Sequence, residues 1–144
     1  MRILLVQHDP RGGDPAVERE RLARRLREVP PQPSELILFP ELASTGFKRG
    51  MAETPALRLC LSDDRAFYAG LARERSAWVL AGILDASSGP GRWRNLAVLF
   101  DPRGVEIGTY EKIHPFSYSG EHEAFPGGER SEVWPVGPWR LQPA

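Results

Sequence analysis

The first forty residues run apolar, then amphipathic, then apolar again, and that order limits the fold more than any other feature of the chain. Met1-Arg2-Ile3-Leu4-Leu5-Val6-Gln7 is a short, nearly continuous apolar run, the pattern of a strand buried on both faces. After a stretch holding Pro and Gly, Asp14 can cap a helix with Pro15 at its first position. Leu22, Ala23, Leu26 and Val29 then recur at helical spacing until Pro30 and Pro31 stop it. Glu35-Leu36-Ile37-Leu38-Phe39 reads as a second buried strand, ended by Pro40. Strand, helix, strand favours a parallel pair joined by a crossover, and so an α/β fold.

The remainder adds to that sheet. A second helix is expected from near Ser62, with Phe67, Gly70 and Leu71 on its inner side. Trp78-Val79-Leu80-Ala81-Gly82-Ile83-Leu84 is a third apolar strand, and the Ser87 to Gly91 cluster turns the chain toward Asn95-Leu96-Ala97-Val98-Leu99-Phe100, predicting a hairpin. Asp101-Pro102-Arg103-Gly104 has the residues of a type I turn and leads into Glu106-Ile107-Gly108-Thr109-Tyr110. Beyond Lys112 the chain is loop-like through Gly128, and Glu132-Val133-Trp134 with Trp139-Arg140-Leu141 predicts a last short hairpin interrupted by Pro135 and Pro138. No internal repeat or low-complexity linker divides the 144 residues, which are treated as one domain.

Composition narrows the partners. Nineteen basic side chains cancel nineteen acidic ones, so no overall positive field gathers DNA or RNA, and nucleic acid is not an expected partner. No run approaches the roughly 20 apolar residues of a membrane helix, and the chain reads as cytoplasmic with no membrane partner. A single cysteine, Cys60, rules out an intramolecular disulfide. It lies in Leu59-Cys60-Leu61, an apolar setting typical of an inert thiol.

Few residues stand out as carriers of chemistry. Glu41 follows a buried strand, at the carboxyl end where open α/β sheets place their sites; on position alone it could equally be a solvated turn carboxylate. Lys112, in Tyr110-Glu111-Lys112-Ile113-His114-Pro115-Phe116, could aim its ammonium at a developing anion or simply reach to water at a strand end. The loop Gly120-Glu121-His122-Glu123 gathers acids and a histidine, which a polar surface loop also does. His8, His114 and His122 lack a metal-ligand spacing, so no metal is expected. Arg11-Gly12-Gly13-Asp14 sits where a phosphate-binding turn would be, but it lacks both the Gly-x-Gly-x-x-Gly pattern and a Walker lysine.

Two segments taken together change this picture. Phe39-Pro40-Glu41-Leu42-Ala43-Ser44-Thr45-Gly46-Phe47 and Tyr110-Glu111-Lys112-Ile113-His114-Pro115-Phe116 closely resemble the glutamate and lysine motifs of the nitrilase, or carbon–nitrogen hydrolase, superfamily, in matching order and separation. The strand ending Val6-Gln7 and the Gly-rich stretch after Glu121 are similar to the same family. The family often has leucine where this chain has Pro115, which bears on the backbone path after His114.

The resemblance implies a hydrolase of non-peptide carbon–nitrogen bonds: an amidase without cofactor, acting on a small-molecule carboxamide through a cysteine thioester and releasing ammonia. The ω-amidase-like branch is slightly favoured by the Glu-His-Glu loop. It implies Glu41 as general base, Lys112 as the oxyanion-stabilising cation and Glu121 as a supporting acid, with Glu123 its competitor. The implied fold is the N-terminal half of a four-layer α-β-β-α sandwich, a mixed sheet with two helices on one face. On this reading residues 1–144 are an incomplete domain that stops at Trp139-Arg140-Leu141-Gln142-Pro143-Ala144, before the family's nucleophilic cysteine. The inward sheet face would then be exposed and the chain inactive alone, dependent on homo-oligomerisation or on pairing with a full-length homologue.

Overall fold

The computed structural model describes residues 1–10, 14–47, 55–86 and 93–144, with the side chains of 55–62 and of Ser119 outside the description. Arg11 to Gly13, where the sequence lacks a phosphate-binding pattern, the Ser87 to Gly91 turn and the surroundings of the Cys60 thiol therefore lie outside the described residues.

Five strands form one mixed sheet in the order β1 (Arg2–Leu5), β2 (Glu35–Leu38), β3 (Trp78–Asp85), β4 (Arg94–Phe100), β5 (Glu106–Glu111). β1, β2 and β3 run parallel, joined by the crossover helices α1 (Pro15–Arg27) and α2 (Pro55–Arg75), while β4 and β5 add antiparallel. Asp14 caps α1 by accepting the Ala16 N–H at 2.8 Å, and Pro15 occupies a position whose amide would have no intrahelical partner.

α2 begins at Pro55 rather than near Ser62. Pro55 is pre-set for a first helical turn, and Ala56-Leu57-Arg58-Leu59 after it are strong helix formers, so helical propensity outweighs the local appeal of Ser62 as a cap. At Asp101 to Gly104 the Gly104 N–H reaches the Asp101 carbonyl at 2.8 Å, closing the expected four-residue turn.

Alternation along the strands gives the sheet two faces. Ile37, Val79, Ala81, Ile83, Leu96, Val98 and Phe100 pack under Leu22 and Leu26 of α1 and Tyr68, Leu71 and Ala72 of α2, forming the main core. Both helices thus cover one face.

The opposite face is neither closed nor bare. A hairpin of β6 (Trp134–Val136) and β7 (Trp139–Leu141) lies across its lower part, where Trp134 and Val136 bury Leu36, Leu99 and Tyr110. Gly108 makes this possible, because a Cβ there would run into the Trp134 indole. The expected exposed face is therefore confined mainly to β1, where Ile3 and Leu5 are 57% and 70% exposed, and to half-buried Leu38, Trp78 and Leu80. Two strands rich in tryptophan, read from sequence as a terminal hairpin, cover a surface that the sequence alone leaves open.

Candidate active site

Glu41 owes its place to a turn that only a glycine on the neighbouring strand permits. The Phe39 N–H continues the ladder to the Leu80 carbonyl at 2.9 Å, and Pro40 then has no N–H with which to extend it. Leu42 adopts a left-handed φ of 48°, the chain folds over β3, and the Ala43 N–H donates to the Gly82 carbonyl at 3.1 Å. A Cβ on Gly82 would stand 2.5 Å from the Glu41 Cα. The far side of the turn is tied down by the Ser44 hydroxyl, which donates to Asp64 of α2; Asp64 also accepts from Arg19 of α1 at 2.7 Å. Burial pushes the Asp64 carboxyl above its ordinary range, against the opposing pull of Ser44 and Arg19.

Lys112 stands one residue past β5. Its N–H donates to the Asn95 carbonyl at 2.9 Å and its carbonyl accepts the Gly128 N–H at 2.9 Å, so the backbone is held from both sides. The side chain reaches across to Glu41, Nζ lying 2.7 Å from Oε1, and to both oxygens of Glu121 at 3.1 and 2.9 Å.

Glu121 opens the short helix α3 (Glu121–Ala124), behind Gly120 in the left-handed region at φ 76°. Its buried carboxylate also accepts the Phe116 N–H at 2.7 Å and the Asn95 amide at 2.8 Å. Burial alone would raise its pKa. The Phe116 N–H, Lys112 and Asn95 together outweigh burial and hold it below the ordinary 4.5. For Lys112 burial works to lower the pKa, and the two carboxylates overcome it, raising the ammonium above 10.5.

The structure brings together the three residues singled out from sequence, Glu41, Lys112 and Glu121. The lysine bonds Glu121, which is buried, and not Glu123, which is exposed. Asn95 was missed. Its Nδ2 donates to Glu41 Oε1 at 2.5 Å and to Glu121 Oε1 at 2.8 Å. In sequence it begins an apolar strand, on the face of Ala97 and Leu99 and not on the helix-covered face of Leu96, Val98 and Phe100, and the sole signal is one polar residue in an otherwise apolar run.

The cluster opens on two hollows. One, of about 330 Å³, runs along the sheet between Leu80, Ala97 and Tyr110 and is bordered by Pro143 and Ala144. The other, of about 510 Å³, is walled by Pro10, Leu42, Phe47 and Phe116, with His114 lining it. A half-exposed carboxylate and an ammonium 2.7 Å apart, at the mouth of apolar hollows, can move a proton and stabilise an oxyanion. Among the described residues no group of three or more histidine, cysteine or acidic side chains could hold a metal ion, and no helix is long and apolar enough to cross a membrane.

Residues 2–138 match the family profile described as carbon–nitrogen hydrolase. The chain belongs to that family. It is 35% identical over 105 residues, 69% of its length, to a 2-oxoglutaramate amidase of Paenarthrobacter nicotinovorans, and 27% identical over 119 residues to a nitrilase of Pyrococcus abyssi. Among solved carbon–nitrogen hydrolases it superposes on an amidase from Nesterenkonia sp. AN1 with a TM-score of 0.83 at 27% identity, in a doubly substituted variant holding acrylamide. A further structure of that amidase shows acrylamide added at its active-site cysteine. The match covers 99% of this chain and 54% of the amidase, while the chain spans 35% and 44% of the two curated relatives. The mixed sheet with its helices thus corresponds to about half of a carbon–nitrogen hydrolase chain.

Proposed function

We propose that this chain carries the base and oxyanion half of an amidase site that releases ammonia from a small carboxamide, and that it needs a nucleophile supplied from outside these 144 residues. One observation carries the reading: Lys112 Nζ is bonded at once to Glu41 at 2.7 Å and to Glu121 at 2.9 Å, at the carboxyl ends of the parallel strands. In the Nesterenkonia amidase acrylamide reaches an active-site cysteine. We assign the thiol role to no residue of this chain.

In the mechanism we infer, Glu41 takes the thiol proton as sulfur attacks the carboxamide carbon. Lys112 faces the oxyanion that forms, and such a preorganised donor contributes about 3 to 4 kcal/mol where water is excluded. The proton on Glu41 passes to the departing ammonia. Glu41 then draws a proton from the water that attacks the thioester and returns it to the sulfur as the carbon–sulfur bond breaks, releasing the carboxylic acid and restoring the thiol. Glu121 keeps Lys112 charged and aimed. The 2-oxoglutaramate amidase relative supports a substrate of the ω-amide class.

The test joins this chain at Ala144 to the C-terminal half of the Nesterenkonia amidase and measures ammonia release from acrylamide and from ω-amides. Release is expected from the joined protein and none from the chain alone. Glu41→Gln and Lys112→Ala are each expected to lower kcat by at least about 100-fold. A folded fusion that releases no ammonia would overturn the reading. The exposed Ile3 and Leu5 favour a second one, in which the chain binds a full-length homologue and performs no catalysis. Copurification with such a homologue would favour it.

A further inference from the structure

The geometry points to Asn95 as the positioning residue of the site, the one side chain that allows two carboxylates to share a single lysine. It touches all three members. Its amide nitrogen carries two protons, one aimed at Glu41 Oε1 and the other at Glu121 Oε1, at 2.5 and 2.8 Å. Its main-chain carbonyl accepts the Lys112 N–H at 2.9 Å. A shift of β4 at this residue therefore moves base, cation and supporting acid together.

The chemistry of an amide suits the task. Lys112 brings one positive charge to two negative ones, so the cluster carries a net charge of −1 and its carboxylates repel. A second cation would remove the repulsion and would also compete with Lys112 for both acids. A neutral donor with two protons bridges them without adding charge, and it neither takes up nor releases a proton at working pH. Asn95 is buried and held in the ladder between β3 and β5, so its donors cannot swing away to water.

Asn95 also decides which oxygen of Glu41 is left for proton transfer. Both of Glu41's bonds, from Asn95 and from Lys112, fall on Oε1. Among the described residues Oε2 accepts none. The base therefore presents one defined oxygen, fixed by two donors on the other.

This role gives purpose to the site proposed above, yet its test needs no catalysis. The carboxyl carbon of Glu121 is followed by NMR as a function of pH in the 144-residue chain, in Asn95→Leu and in Val98→Ala, a buried change on the same strand that touches no member of the cluster. Asn95→Leu is expected to raise the Glu121 midpoint by about one unit, a tenfold change in its ionisation constant, and Val98→Ala to leave it in place. Should Asn95→Leu not fold, Asn95→Ser removes the bridging amide at smaller cost in packing and is expected to move the midpoint in the same direction. An unchanged midpoint in whichever variant is folded, or an equal shift in Val98→Ala, overturns the proposal. A raised midpoint in a chain whose fusion hydrolyses nothing would keep the positioning role and remove the functional reading.

Discussion

Glu35 and Glu41 stand at opposite ends of the same strand, and both are ion-paired, yet they do different work. Glu35 opens β2 with no exposed surface and is gripped by two guanidinium groups, Arg2 and Arg75, the latter 3.1 Å from Oε2. Arg75 also donates to the Val29 carbonyl at 2.6 Å, sealing the end of α1. Glu41, past the other end of β2, has a half-exposed side chain and meets the ammonium of Lys112. A guanidinium keeps its charge at every accessible pH and holds a carboxylate in a planar fork, whereas an ammonium is a point charge on a flexible stem. The amino end of the sheet is held by two fixed charges, and on the function proposed above the carboxyl end faces a reactant.

The sharpest way to break the contrast is to remove one glutamate at a time. Glu35→Ala strands Arg75 in a buried site, and breaking a buried pair in this way costs about 3 to 5 kcal/mol. That is a large part of the 5 to 15 kcal/mol typical of a folded domain. The urea midpoint should fall far below that of the wild-type chain. Glu41→Gln, with a half-exposed side chain, is expected to leave it nearly unchanged. Equal losses from the two substitutions would show that the carboxyl end is structural as well.

A smaller effect is expected from Gly82→Ala, because the new Cβ has no space beneath the Glu41 turn. Overpacking of this kind costs about 1 to 3 kcal/mol. The loss should come with displaced amide resonances for Glu41, Leu42 and Ala43, while those around Glu35 stay put. Uniform small shifts across the sheet would mean that the turn yields without moving the carboxylate.

Much of this division could be read from the residues. The parallel pair of β1 and β2, the β3–β4 hairpin and the capped first helix follow from apolar periodicity and from Asp14-Pro15, and the pairing of Glu41 with Lys112 from two motifs in matching order. The choice between Glu121 and Glu123 could not, because it depends on the left-handed Gly120 that starts α3 and turns only the first acid inward. Asn95 was illegible for a related reason: a single polar residue in a strand reveals its purpose only when the partners across the sheet are known. The coverage of the lower sheet face by Trp134 depends in the same way on Gly108, which has no side chain to announce it.

The smallest effect separates the two ends by pH. Glu121 is held below its ordinary 4.5 in the folded chain, so its contribution to stability is complete above 4.5 and is lost as the pH falls through the folded value. Lys112 is held above 10.5, so its contribution is complete below 10.5 and is lost as the pH rises through the folded value. His8, buried and 3.0 Å from Glu18, is lowered chiefly by burial; it supports folding fully above 6.5 and less as the pH drops. Lys112→Met should cost less at pH 7 than Glu35→Ala, since the ammonium is partly exposed and the buried Glu121 carboxylate keeps Asn95 and the Phe116 N–H as donors. It should flatten the decline above pH 10.5 and weaken the one below 4.5, because Glu121 loses a partner. The slope that begins at 6.5 should survive, since His8 lies with Glu18 and Arg21 on the α1 side. Urea unfolding of both proteins from pH 3 to pH 11 checks this, and an alkaline decline that persists in Lys112→Met would assign it to another group.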